Sequence, residues 1–192
     1  MLKLVIKSFF LFSTILAKNL HDFSVFNTHG DLINLSTLQN KIVLITNVAS
    51  ECGYTDSEYE GLNHLYNKFK PTNKFEILAF PCNQFGLQEP GTNDEIIDFV
   101  RKTKKGQFPI MEKSLTRTTK DTQEKRQSIS DLWKWINKKT KTEGPSWNFW
   151  KYLVNGQGEI IKHYDMDKEV KSLEDTIQKE IFNIWRMEGK EL

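Results

Sequence analysis

Hydrophobic positions fall into two rhythms along this chain. Lys41 to Val48 (KIVLITNV) and Phe75 to Phe80 (FEILAF) are nearly continuous apolar runs. Such runs mark strands buried on both faces of a sheet. Between them Tyr59, Leu62, Leu65, Tyr66 and Phe69 recur at helical spacing over Glu58 to Phe69, and Pro71 follows as a stop. Pro81 ends the second run. Upstream, His21 to Leu35 alternates apolar and polar positions around His29-Gly30-Asp31, the pattern of a short hairpin. Downstream, Thr92-Asn93-Asp94-Glu95 opens a helix through Val100, with acids in its first turn where the helix dipole favours them.

Leu115 to Arg126 is polar and reads as a loop, and Ile129 to Ile136 as a short amphipathic helix. Phe149 to Val154 and Glu159 to Tyr164 are strands joined at Asn155-Gly156-Gln157-Gly158. Ser172-Leu173-Glu174-Asp175 has the form of a capping box, opening a last helix to about Met187. The first core strands are separated by a helix and should be parallel; the final pair should be antiparallel. The fold class is therefore α/β, with a mixed central sheet flanked by helices and an N-terminal β-hairpin.

Composition adds a boundary. Lys3 and Lys7 precede an apolar run from Phe9 to Ala17. That is the pattern of a secretory signal peptide over residues 1–17, too short to cross a bilayer alone. Residues 18–192 then form a single domain. Without the leader the chain carries 25 basic and 25 acidic residues, so it has no global attraction for nucleic acid. Basic runs remain at Arg101 to Lys105 and Lys138 to Lys141. They read as solvated faces, with a docking patch for an acidic thiol such as glutathione as the alternative.

The chemistry lies in two cysteines, Cys52 and Cys82. An even count in an oxidising compartment is compatible with a structural disulfide. The surroundings point elsewhere for Cys52. It follows the strand ending at Val48, is followed at once by Gly53, and precedes a helix. The partial positive charge and free N–H groups of a helix N-terminus favour a thiolate, the nucleophilic form. Cys82 ends the second strand, and parallel strands deliver their C-terminal ends to the sheet edge that favours ligand sites.

Asn47-Val48-Ala49-Ser50-Glu51-Cys52-Gly53-Tyr54-Thr55 resembles the nucleophile segment of the glutathione peroxidase family. Leu78-Ala79-Phe80-Pro81-Cys82-Asn83-Gln84-Phe85-Gly86, followed by Gln88-Glu89-Pro90-Gly91, resembles its second signature, and Trp147-Asn148-Phe149 its third. The resemblance runs from about Phe23 to Ile184. It implies a thioredoxin-like fold and a catalytic tetrad of Cys52, Gln88, Trp147 and Asn148. The Gln and Asn amides and the Trp indole N–H are donors suited to a thiolate and to the oxyanion leaving a broken O–O bond.

The implied activity is reduction of hydrogen peroxide and organic or lipid hydroperoxides through a Cys52 sulfenic acid. No metal or bound cofactor is implied. Glutathione, or a dithiol protein of the thioredoxin or protein disulfide isomerase type, would supply electrons. A redox sensor or oxidation relay that passes disulfides to partner proteins is the alternative. Cysteine stands where the best-known vertebrate members carry selenocysteine, which implies slower turnover. Many cysteine-type members also place a resolving cysteine in the helix after Gln-Glu-Pro-Gly; here that helix reads Ile96 to Arg101 with none. Cys82 can be a spectator, a staple or the resolving thiol. The segment Pro145 to Val154 is most similar to the endoplasmic-reticulum members. The end, Gly189-Lys190-Glu191-Leu192, resembles their retrieval signal with Lys190 where an acid is expected. The location implied is the secretory pathway, by secretion or in the endoplasmic reticulum lumen. The region from Met111 to Ser130 offers no long apolar helix for a tetramer interface, so a monomer with an open site is expected.

Overall fold

The computed structural model describes residues 18–189. The leader read at residues 1–17 and the last three residues of the chain lie outside the described residues. Strands β1 (Ser24–Phe26) and β2 (Leu32–Asn34) pair antiparallel as the expected hairpin, in a small sheet of their own. The central sheet has the order β4-β3-β5-β6, from β3 (Ile42–Val48), β4 (Phe75–Pro81), β5 (Lys151–Val154) and β6 (Ile160–Tyr164). β3 runs parallel to β4 and antiparallel to β5, and β5 and β6 are antiparallel. The mixed sheet is the one the patterning predicts.

All seven residues of β3 are buried, because the strand is central and covered on both faces. Ile42 and Leu44 join Ile77 and Ala79 of β4 beneath α1 (Thr55–Phe69), with Ile177, Ile181 and Ile184 from α5 (Glu174–Met187). Val43 and Ile45 join Leu78 and Phe80 on the other face. There they meet Val25 of the hairpin and Leu132, Trp133 and Ile136 of α4 (Asp131–Thr140). Strand alternation alone thus assigns each residue to one of two cores.

Three local expectations are corrected. The segment Leu115 to Arg126 is not all loop. It contains a helical turn, α3 (Lys120–Glu124), capped by the Thr119 side chain on Thr122 N–H. The box at Ser172 does not form. Ser172 lies in a 3₁₀ turn over Val170–Leu173, its hydroxyl donates to Glu169 O at 2.6 Å, and α5 starts without a side-chain cap. The helix at Thr92 is α2 (Asn93–Asp98), closed by a real capping box between Thr92 and Glu95, and it widens into a π turn over Phe99–Thr103. α1 begins at Thr55, four residues before Tyr59, the first apolar-periodic position, which brings its N-terminus next to Cys52.

Candidate active site

β3 ends at Val48, where it pairs with Pro81, and both chains turn beyond this point. The Cys82 N–H still reaches Val48 O at 3.1 Å. The loop from Ala49 to Tyr54 then carries Cys52 into the first turn of α1. Thr55 shapes that loop. Its Oγ1 accepts from Cys52 N–H at 3.0 Å and donates to Ala49 O at 2.8 Å, and its own N–H reaches Cys52 O at 3.0 Å. Cys52 is 8% exposed and packs with Val48, Ala49 and Phe149 on the α1 face.

Gln88 arrives from the end of β4 through a tight turn. Gly86 and Leu87 are both left-handed, at φ 62 and 55. This backbone suits glycine and strains leucine. The turn leaves Leu87 73% exposed and aims the next residue inward. Gln88 O accepts from Glu51 N–H at 3.0 Å, which seats Gln88 against the Cys52 loop. Asn148 is fully buried, and its Nδ2 donates to Gln88 Oε1 at 2.8 Å. With its oxygen engaged, Gln88 keeps its amide N–H groups for another acceptor.

The segment from Trp147 to Trp150 is clamped by Asn47, a fully buried residue of β3. Asn47 Nδ2 donates to Trp147 O, and its Oδ1 accepts from Trp150 N–H, both at 3.0 Å. Its backbone carbonyl accepts from Phe149 N–H at 2.8 Å. The clamp holds Phe149 at φ 61, and Trp147 lies against Phe85 with ring centroids 6.3 Å apart. Asn47 and Thr55 have no assigned role at the level of sequence. The signal for Asn47 was present: an amide inside an otherwise apolar strand needs buried partners.

The structure therefore brings Gln88 and Asn148 into direct contact and ties both to the Cys52 loop, with Trp147 held beside Asn148. Cys82 has its own set of partners. It is buried, and its thiol donates to Gln84 Oε1 at 3.5 Å and meets Thr116 Oγ1 at 3.6 Å. Thr116 O in turn accepts from Asn137 of α4 at 3.1 Å, so Cys82 faces α4 while Cys52 faces α1. Both thiols are free. Burial pushes the Cys82 thiol up, against its hydrogen bonds.

Next to Gln88, Glu89 is fully buried. Its Oε1 accepts the Ser50 hydroxyl at 2.6 Å, and its N–H donates to Asn83 Oδ1 at 2.9 Å. Burial pushes its carboxyl up to about 7, against the pull of the Ser50 bond and the Lys113 charge. A cleft of about 390 Å³ opens beside the loop, lined by Ser50, Glu51, Pro90, Gly91, Glu95 and Phe99 among others. Among the described residues, no three His, Cys, Asp or Glu converge as metal ligands would.

The family model for glutathione peroxidase matches residues 20–129. Glutathione peroxidase 7 of Mus musculus is 36% identical over 169 residues, 87% of this chain and 84% of that protein. Glutathione peroxidase 1 of Helianthus annuus is 41% identical over 167 residues, 84% of this chain and 93% of that protein. The apo crystal structure of Trgpx superposes with a TM-score of 0.67 at 29% identity, covering 86% of this chain and 97% of that one. A thiol:disulfide interchange protein of the thioredoxin family from Chlorobium tepidum superposes with a TM-score of 0.61 at 12% identity, over 83% of this chain and 92% of that one. That likeness is one of fold, and the fold is thioredoxin-like. The chain belongs to the glutathione peroxidase family and is a thiol peroxidase that reduces hydroperoxides.

Proposed function

We propose that Cys52 is the peroxidatic nucleophile and that Gln88, Trp147 and Asn148 are its donors. The Cys52 thiolate attacks one peroxide oxygen and the O–O bond breaks. The sulfur gains that oxygen and becomes a sulfenic acid, and the other oxygen departs with the electron pair, takes a proton and becomes water or an alcohol. Gln88 N–H groups and the Trp147 indole N–H offer hydrogen bonds to the charge as it moves from sulfur to oxygen. The observation that carries this reading is the linked pair of contacts at Gln88: side chain to Asn148, backbone to the residue before Cys52.

An outside thiol then condenses with the sulfenic acid, releasing water, and a second thiol restores Cys52 by disulfide exchange. No group bound in advance is required. The Gln84 and Thr116 hydrogen bonds that engage the Cys82 thiol, and the burial that pushes it up, support an external resolving thiol over an internal one. We assign that role to a dithiol protein of the thioredoxin or protein disulfide isomerase type. Tyr54 on the Cys52 loop is 40% exposed and Leu87, next to Gln88, is 73% exposed, apolar surface suited to a protein partner. Exposed Glu51 opposes the two carboxylates of glutathione. The leader pattern assigns this chemistry to the secretory pathway.

Turnover of the purified protein is the test, with glutathione or a protein dithiol as donor, on hydrogen peroxide and on a lipid hydroperoxide. Faster turnover with the dithiol is expected. Faster turnover with glutathione contradicts the assigned reductant. Stoichiometric oxidation of partner proteins with negligible turnover would make the chain an oxidation relay.

A further inference from the structure

The reaction above uses Glu89 for nothing, yet Glu89 is a fully buried carboxyl beside Gln88, and its Oε2 has no hydrogen-bond partner. Burying a carboxyl with half its capacity unused is unfavourable unless the group stays neutral or serves a purpose. Its one side-chain contact is specific: Ser50, two residues before Cys52, donates to it at 2.6 Å.

We propose that Glu89 is a positioning residue for Cys52, gripping Ser50 so that the Cys52 loop stays docked on the loop that carries Gln88. The inference rests on the assignment of Cys52 as nucleophile. Two bonds join these loops in parallel: Glu51 N–H to Gln88 O at 3.0 Å through the backbone, and Ser50 to Glu89 through side chains. They lie at the two residues just before Cys52 on one loop, and at Gln88 and its neighbour on the other. One bond alone would let the loops pivot, and two fix their relative angle. The far side of Glu89 is anchored as well. Its N–H is held by Asn83, and Lys113 Nζ donates to Gly91 O at 2.5 Å, so the grip is set in a rigid turn.

The groups that face the carboxyl come from several elements. Lys113 attracts it and Glu51 repels it, while Tyr59 of α1 and Cys82 at the end of β4 face it as neutral groups. The carboxyl, pushed up to about 7 by burial, is neutral over the acidic half of the working range. The amide of Glu89→Gln therefore mimics that form and can still accept from Ser50. The same inward-facing carboxyl has no route to solvent, so it guides geometry and does not itself meet the peroxide.

The experiment is single-turnover oxidation of Cys52 by hydrogen peroxide, without reductant, near pH 6. Ser50→Ala, Glu89→Ala, Glu89→Gln and the Ser50→Ala/Glu89→Ala double variant are compared, each with its melting temperature. Ser50→Ala and Glu89→Ala should slow oxidation on the order of tenfold to a hundredfold, the cost of a misplaced reacting group. The double variant should be no slower than the slower single one, and Glu89→Gln should recover most of the rate. A purely structural role would lower melting temperatures and leave the rate of the folded protein alone. Wild-type rates in Ser50→Ala, which leaves the core intact, overturn the proposal, as does a Glu89→Gln variant as slow as Glu89→Ala. Cys52→Ser separates this from its premise: if that variant still consumes peroxide, the nucleophile assignment fails whatever Glu89 does.

Discussion

Around the Cys52 loop, each polar side chain has a distinct task. Gln88 spends its oxygen on Asn148 and keeps its donors; Asn47 spends both ends on the backbone around Trp147. Removing a preorganised donor from a comparable site costs about 2.7–4 kcal/mol. Gln88→Ala should therefore slow single-turnover oxidation about a hundredfold or more, and Trp147→Phe should slow it in the same direction. Unchanged rates in stopped-flow measurements would remove these residues from the reaction. Glu89 adds a pH signature to stability. Its carboxyl ionises at about 4.5 when unfolded and at about 7 in the folded protein. The folded state thus holds the proton more tightly, and its stability falls as pH rises from about 4.5 to about 7, then levels. The shift corresponds to roughly 3 kcal/mol. Glu58 and Glu76, also raised by burial, slope the same way, so the informative quantity is the difference from Glu89→Gln. Denaturant titrations at pH 5 and 7.5 should show wild type losing more stability than that variant. Parallel losses would place the Glu89 carboxyl outside the titration.

Among elements, α1 is the one that must not move, because its first turn frames Cys52. Two features fix it. Glu58 of α1 and Lys151 of β5 form a buried ion pair at 3.0 Å, with Val170 N–H also donating to Glu58. Burial raises Glu58 and lowers Lys151 more than their mutual attraction restores them, so the pair specifies an arrangement more than it adds stability. Lys151→Met should destabilise the fold by about 3 kcal/mol by leaving the carboxyl unpaired. The loss should be larger at pH 8 than at pH 5, where Glu58 can take a proton. Equal losses at the two pH values would show that Glu58 is not the charged partner. Gly61 lets α1 approach the turn after β6: a Cβ there would meet Val170 Cγ1 at 2.5 Å and Lys171 N at 3.1 Å. Gly61→Ala should cost about 1–2 kcal/mol despite its better helix propensity, since one obstacle is backbone. A raised melting temperature would show that the turn yields. The strands and the helices under them were legible because burial writes itself as periodicity. Neither Glu58 nor Lys151 was legible as a pair, because a charge in an amphipathic pattern reads as a solvated face. The Ser172 box misled for a related reason. The residues of the motif are present, but the 3₁₀ turn before α5 takes the hydroxyl to Glu169 O instead.

For the whole molecule, the two-core architecture decides what the second cysteine can do. The strand alternation that puts Phe80 toward α4 puts Cys82 there too, whereas Cys52 packs beneath α1. This separation could have been read from the parity of β4. The end of the parallel strands alone suggested only a shared edge. A disulfide needs Cα atoms within about 7 Å and converging side chains, and an internal bridge would also have to free the Cys82 thiol from Gln84 and Thr116. α3 is only a short, polar turn of helix, so a monomer is expected and light scattering should give the mass of one chain; a stable tetramer would contradict this. The three signature segments were legible as a site because each carries its chemistry in consecutive residues. The residues that hold them together, Asn47 and Ser50, were not, because their partners are distant in sequence. The most direct measurement is mass spectrometry of the protein after one equivalent of hydrogen peroxide in the presence of a sulfenic-acid trap. The trap adduct should map to Cys52, with Cys82 recovered as free thiol. An adduct on Cys82 would contradict Cys52 as the nucleophile, and a Cys52–Cys82 disulfide would contradict resolution by an outside thiol.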